Sequence, residues 1–392
     1  MPFKLLAWGA NTYGQLGLGL KSESCLSPKE VVSDDPALAM RDVISIVGGG
    51  GHTLIMDSKG ELFSCGRNSK GQLGRKECEG KNDADPKLGL VSLEEEDRAI
   101  QIACGWDSSY CITWGYKLLV WGRNTDGQLG IPKNEHPTIV KPMKVPRLGD
   151  LKQVAAGQRH ALVLTKDGHV LACGNGSKGQ LGILDHTRAP LKELEHFREV
   201  PELSDIVQIA CGLHFSAALD NKGRIWVWGD NHHGQLGIDP ASLKNIHVPQ
   251  CLNISSTFDP ALTANKVVKI YCGWTHMAAR TSSRALIIWG RNNYGQLGCH
   301  ESMRPEPWKP QLIDKLEGVR RMAVGAEHNV VLTESGSILS WGWNEHGNCG
   351  TGDDKNVLMP SQITIAQPGK VIAVGAGSGH SFALVEEPYN DS

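Results

Sequence analysis

The sequence predicts an all-β chain folded as a seven-bladed β-propeller, closed by pairing of the N-terminal strand with the C-terminal repeat. Three observations carry this expectation. First, a ten-residue phrase begins at Trp8, Cys65, Trp121, Cys173, Trp228, Trp289 and Trp341, a period of 52 to 61 residues. It reads Trp or Cys, Gly, a spacer, usually Asn, two variable residues, and Gly-Gln-Leu-Gly, degraded in the last copy to Gly347-Asn348-Cys349-Gly350. Second, Gly-x-x-His or a close variant recurs thirteen residues before each Trp/Cys-Gly: His52, His160, His276 and His328 hold that slot, with Ser108 and Phe215 in two further copies. Third, the last unit breaks off after His380-Ser-Phe-Ala-Leu-Val without a Trp-Gly, while Phe3–Gly9 is a Trp-Gly strand with no hairpin ahead of it. Long periods with strand-like content mark radial arrays of sheets, and joining the two ends removes the open edges of a linear array.

Each repeat reads as a hairpin followed by a shared turn. In His160-Ala-Leu-Val-Leu-Thr, Lys166-Asp167-Gly168 and His169-Val-Leu-Ala-Cys173, two apolar runs flank a turn in which Gly supplies positive φ. Asp57 to Gly60 and Asn221 to Gly223 repeat the pattern. In the Gly-Gln-Leu-Gly turn, Leu is expected to plug the space between blades, Gln to satisfy turn backbone groups, and the preceding Asn to form an Asx-type turn. The Trp residues are expected to be buried scaffold. Residues 1–392 form one domain on this reading, with 1–9 as closing strand and 75–99, 184–205 and 238–265 as long variable loops. The first of these carries the acidic run Glu94 to Asp97, and such loops on a rigid ring are where recognition is expected.

Composition narrows the function classes. Formal net charge is −2 with no long basic run, so direct nucleic-acid binding lacks electrostatic support. No apolar stretch is long enough for a membrane span or a signal peptide. Eleven cysteines is an odd number, several sit in repeat slots, and no Cys-x-x-Cys occurs; the expectation is a reducing, cytoplasmic or nuclear setting without metal or other cofactor. Asn175 and Asn253 then stand in chance sequons. Gly48 to Gly51 lacks the Lys-Ser/Thr of a phosphate loop and falls in the Gly-x-x-His slot. The five slot histidines, His380 included, are expected to hydrogen-bond backbone near a strand start. No Ser-His-Asp or paired-carboxylate set emerges, so covalent catalysis is not expected. A closed ring needs no second copy to hide its edges, which favours a monomer.

Gly-x-x-His, Asp-Gly and Trp-Gly-x-Asn-x-x-Gly-Gln-Leu-Gly together resemble the repeat of the regulator-of-chromosome-condensation superfamily over essentially the whole chain. Ala103-Cys-Gly-Trp106-Asp107 and Cys272-Gly-Trp274-Thr-His276 are most similar to its secretion-regulating guanine nucleotide exchange factor branch. The resemblance implies a seven-bladed propeller and nucleotide exchange on a small GTPase, with secretion or membrane traffic as setting. In many members it implies protein recognition alone. It also implies that the GTPase docks on the face formed by the Gly-x-x-His loops. The matching positions are Trp106, Asp107, Arg159, His160, Trp274, His276, Glu327 and His328, with the acids Asp107 and Glu327 foremost. As exposed loop charges serving recognition, these two are expected to tolerate replacement by Ala with little loss of stability. Two departures stand against simple transfer: no extra residues follow any Trp/Cys-Gly, where the exchange factor naming the superfamily inserts a wedge, and no basic segment precedes the first strand. A non-catalytic interaction scaffold is therefore the alternative. A light sensor built on Gly-Trp-Arg-His-Thr repeats is disfavoured because no copy reads so.

Overall fold

The computed structural model describes residues 3–31, 43–75, 83–252, 254, 266–303, 305–313, 316, 318–366 and 369–387. Seven four-stranded antiparallel sheets form the blades. From inner to outer strand, blade 1 is Val43–Gly48, His52–Asp57, Leu62–Arg67 and Ala84–Val91. Blade 2 is Ala99–Cys104, Ser108–Thr113, Leu118–Arg123 and Thr138–Lys144, and blade 3 is Leu151–Ala156, His160–Thr165, Val170–Asn175 and Glu193–Glu199. Blade 4 is Ile206–Cys211, Phe215–Asp220, Ile225–Asp230 and Asn245–Leu252, and blade 5 is Val267–Cys272, His276–Thr281, Leu286–Gly290 and Gln311–Leu312. Blade 6 is Val319–Val324, His328–Thr333, Ile338–Gly342 and Val357–Gln362. Blade 7 joins Lys370–Ala376 and His380–Glu386 to Phe3–Ala10 and Ser24–Glu30. Each inner strand touches the inner strands of both neighbouring blades, so the ring is closed.

Closure uses the register Phe3↔Glu386 through Gly9↔His380. The N-terminal segment supplies two strands of blade 7 rather than one, because Ser24–Glu30 pairs on the far side of the closing strand. The three segments read as long loops each contain the outer strand of a blade: Ala84–Val91, Glu193–Glu199 and Asn245–Leu252. Their mixed burial, with Pro86 and Pro249 inside strands, blurs the apolar/polar alternation that reveals a strand. Residues 76–82, 255–265 and Asn253 lie outside the described residues.

The repeat phrases are the fabric of the junctions between blades. Trp8, Trp121, Trp228, Trp289 and Trp341 are fully buried, as are Leu73, Leu129, Leu181, Leu236 and Leu297 of the shared turn. Each of these indoles donates to the main-chain carbonyl of the preceding turn's Gln, or of Asn348 in the case of Trp8, at 2.8–3.0 Å. Asn68 Oδ1 accepts from the Leu73 amide at 3.0 Å and Asn124 from Leu129 at 3.0 Å, so Asn closes the turn as the Asx reading expects.

The slot histidines bond across the junction to side chains, not to backbone as the sequence suggested. His52 Nε2 meets Ser109 Oγ at 2.9 Å, His160 meets Ser216 at 3.0 Å, His276 meets Asn329 Oδ1 at 3.0 Å, His328 meets Ser381 at 2.8 Å and His380 meets Thr53 at 3.0 Å. The hydroxyl of Ser109 already donates to Gln72 O, Ser216 to Gln180 O, Ser381 to Asn348 O and Thr53 to Gln15 O. Each hydroxyl has one proton, so the imidazole Nε2–H must be the donor, and Nδ1 is unprotonated. Gly-x-x-His follows from the same packing: a Cβ on Gly49, Gly157, Gly273, Gly325 or Gly377 would stand 2.1–2.3 Å from Cε1 of the ring three residues later. Where the histidine is Phe215, the opposing position is Met277, and that junction is apolar; both side chains are fully buried.

Candidate functional site

The seven turns between inner and second strands crown one mouth of the central channel. Main-chain bonds stitch them together: Leu213 N donates to Trp274 O, Trp274 N to Ala326 O, Ala326 N to Ser378 O, Ser378 N to Gly49 O and Gly50 N to Trp106 O. Within this rim Trp106 of blade 2 and Trp274 of blade 5 meet across the opening, ring centroids 5.2 Å apart and tilted 47°. The other blades carry Gly50, Gln158, Leu213, Ala326 and Ser378 at this position, and two indoles are enough to span the mouth. They cap a cavity of about 110 Å³ whose walls include Cys104, Cys211 and Cys272. Burial raises all three thiols well above their ordinary range, so none is a poised thiolate.

Asp107 and Glu327 do not stand out as free loop charges. Their residues are 5% and 6% exposed, which corrects the expectation of solvated acids. Asp107 Oδ1 accepts from the Gln72 side-chain amide at 3.3 Å and lies 3.8 Å from Arg67, with Arg123 3.9 Å from Oδ2. Glu327 accepts from Gln296 at 2.6 Å and from Thr275 Oγ1 at 2.7 and 2.9 Å, with Arg291 at 4.0 Å. In both cases the carboxylate answers the Gln of the preceding blade's turn and sits beneath a guanidinium. A buried charge is held by such hydrogen bonds.

Of the eight sequence candidates, the structure brings Trp106, Trp274, Asp107, Arg159 and Glu327 to the rim. His160, His276 and His328 lie inside the wall, at 1% exposure or less, and burial pushes the pKa of His160 and His328 down to about 3. Burial also lowers His276, against the opposing pull of Glu327. These three rings therefore present no donor to a partner on this face and act through loop geometry. Arg159 is exposed, with Asp126 at 3.7 Å.

Sequence reading missed the arginines. Arg67, Arg123 and Arg291 each follow a Trp/Cys-Gly directly, and that repeated spacing was the available signal. Arg67 stacks over Tyr13 at 5.1 Å and Arg291 over Tyr294 at 4.9 Å, so the rim carries cation–π pairs beside the shielded acids. Chemically the face offers aromatic surface and guanidinium donors. Among the described residues no group of three or more His, Cys, Asp or Glu is placed to hold a metal, and no helix is long and apolar enough to cross a membrane.

Comparison with known proteins places this architecture. Residues 4–383 match the model of the RCC1-like domain. The chain is 33% identical to the secretion-regulating guanine nucleotide exchange factor of Bos taurus over 409 residues, covering 98% of this chain and 83% of that protein. It is 28% identical to the regulator of chromosome condensation of Mus musculus over 405 residues, covering 98% and 91%. Yeast RCC1 (Prp20), solved with Kap60 bound, aligns with a TM-score of 0.86 at 25% identity, covering 100% of this chain and 90% of that one. With its seven blades, its locked repeat phrases and a match along nearly its whole length, the chain belongs to the RCC1-like domain family.

Proposed function

We infer that this propeller binds a small GTPase on the Trp106–Trp274 face and regulates its nucleotide state as a guanine nucleotide exchange factor, with secretion or membrane traffic in the cytoplasm or nucleus as its setting. The observation that carries the reading is the rim itself: two indoles bridging the mouth, flanked by Arg67, Arg123, Arg159 and Arg291. Support comes from the similarity, over 98% of the chain, to a protein named as an exchange factor. Exchange makes no bond. It requires only that the nucleotide-free GTPase bind more tightly than the loaded one, the difference in the two affinities being the coupling that expels nucleotide. In this reading Trp106, Trp274 and Arg159 touch the partner, Asp107 and Glu327 hold the arginines and the rim in place, and His160, His276 and His328 fix the loops from within.

A scaffold without exchange activity is the second reading, and one observation favours it. The interval from the Trp/Cys-Gly glycine to the turn glycine is constant, from Gly9 to Gly14 through Gly342 to Gly347, both members at positive φ in every copy. No blade therefore has an inserted segment there to wedge into a partner.

The test is release of a fluorescent guanine nucleotide from a panel of loaded small GTPases, with pull-down of each in nucleotide-free form. Accelerated release that falls at least about tenfold in Trp106→Ala or Arg159→Glu, the loss expected of an interface hot spot, supports exchange through this face. Binding without acceleration supports the scaffold. A panel with neither binding nor release overturns the GTPase reading for its members.

A further inference from the structure

The inner strands carry a second pattern, at the far end from the Trp106–Trp274 rim. Every inner strand shifts register near its start, and the residue just past the shift is Ser45, Gln101, Gln153, Gln208, Lys269, Arg321 and Ala373 in blades 1 to 7. In blades 2, 3 and 4 the glutamine clamps the next blade. Gln101 donates to Val154 O at 3.2 Å and accepts from Val154 N at 2.8 Å. Gln153 does the same with Ile209 at 2.9 Å both ways, and Gln208 with Ile270 at 2.7 and 3.0 Å. A carboxamide closes this two-way bond because it both donates and accepts. Lysine and arginine only donate, so Lys269 and Arg321 cannot make it.

Among the described residues these two cations have no ion-pair partner. Lys269 stands directly opposite Arg280 in the strand register, a like-charge pair that costs stability. Among the described residues neither Lys269 nor Arg321 makes a hydrogen bond or ion pair. Arg280 spends Nη1 on the carbonyls of Val319 and Arg320, at 3.1 and 3.3 Å, and its Nε is buried without a partner. Two residues beyond Lys269 on the same strand, hence on the same side, Tyr271 brings a phenol where four other blades have Ala103, Ala155, Ala210 and Ala323. Burial first, then Arg280 and Arg321, hold the Lys269 ammonium below its usual range, so both arginines lie within electrostatic reach of Lys269. The same two arginines act on Tyr271.

We propose that Lys269, Arg280, Arg321 and Tyr271, at the junction of blades 5 and 6, form a binding site for a small polyvalent anion of the phosphate type. Among the described residues the cluster consists of donors with no counter-charge, the complement of a tetrahedral oxyanion, which accepts from ammonium, guanidinium and phenol together. Lys269 lies near the start of the Val267–Cys272 strand and Trp274 in the turn beyond its end, about 10 Å of strand plus the turn apart, so a protein docked on the rim leaves this site open.

The experiment uses the full chain and inorganic pyrophosphate, by isothermal titration calorimetry and thermal unfolding, with chloride matched for ionic strength. Saturable binding and a rise in Tm are expected for the parent chain. Lys269→Gln combined with Arg321→Gln should weaken binding at least about tenfold, the consequence of losing charge-assisted hydrogen bonds. Lys269→Gln alone tests the fold separately. Glutamine there can clamp the backbone of Met322, the position matching Ile270 one blade on, so in the absence of anion this variant should melt no lower than the parent chain. The proposal is overturned by no saturable binding to the parent chain, by equal binding to the double variant, or by chloride giving the same rise in Tm.

Discussion

The glutamine of the shared turn makes bonds in three directions, and this decides what the neighbouring acids do. Gln296 takes the Tyr294 amide on its side-chain oxygen at 2.8 Å, gives its side-chain amide to Glu327 at 2.6 Å, and offers its main-chain carbonyl to Trp341 and Asn329 at 2.9 Å each. Gln72 repeats the arrangement with Lys70, Asp107, Trp121 and Ser109. Glu327→Ala strips the acceptor from both Gln296 and Thr275 in a buried place. It is expected to cost about 1–3 kcal/mol, the usual consequence of unpairing buried polar groups, read as a lower urea midpoint at unchanged slope. A midpoint equal to that of the parent chain would return Glu327 to the exposed-charge view. An acid in a Gly-x-x-His loop is visible in the sequence. Its burial is not, because the partner glutamine lies 31 residues away for Glu327 and 35 for Asp107, on the adjoining blade.

At the scale of the element, the turn that follows each third strand tolerates little change at its first glycine. Gly127 has φ +70°, and a Cβ there would stand 2.8 Å from the Leu194 carbonyl and 2.9 Å from Glu195 Cα on the next blade's outer strand. Gly127→Val therefore meets both a left-handed backbone and a main-chain clash. A loss of more than about 2 kcal/mol is expected, measured as a fall in Tm, with weakened density of amide protection across blades 2 and 3. Retention of parental stability would show that the turn can be rebuilt locally. Third strands were legible because each ends on Trp-Gly or Cys-Gly with the shared glycine turn just beyond. Outer strands were not: Glu193–Glu199 buries no residue fully, so no apolar face marks it in the sequence.

For the whole molecule, the histidine junctions tie stability to pH. Burial holds His52, His160, His328 and His380 at a pKa of about 3 and lowers His276 too, against an unfolded value near 6.5. The folded pKa is the depressed one, so an unfolded chain takes up protons first as pH falls. The stability these groups support is complete above about pH 6.5 and is lost progressively toward pH 3, each contributing up to about 1.4 kcal/mol per pH unit within that window. Urea unfolding between pH 7.5 and 5 should show a falling midpoint, and His160→Gln should reduce the pH dependence by about one proton. A midpoint independent of pH over that range contradicts the neutral, Nε2-protonated assignment. The five junctions involved lie around the ring, so acid loosens it at several seams at once rather than at one end.

The sequence by itself determined the number of blades, their phase, the closure of the ring and the burial of the Trp/Cys and Leu/Cys slots of the repeat. These are properties of short, repeated, local phrases, and repetition makes a weak signal unmistakable. Tertiary structure alone decided which charges are free. Asp107 and Glu327 became supports for glutamines and arginines; three candidate histidines became struts between blades; Lys269 and Arg321 became cations without an ion-pair partner among the described residues. Each outcome depends on what the neighbouring blade does or does not supply, at a separation set by ring closure and strand register rather than by any spacing along the chain.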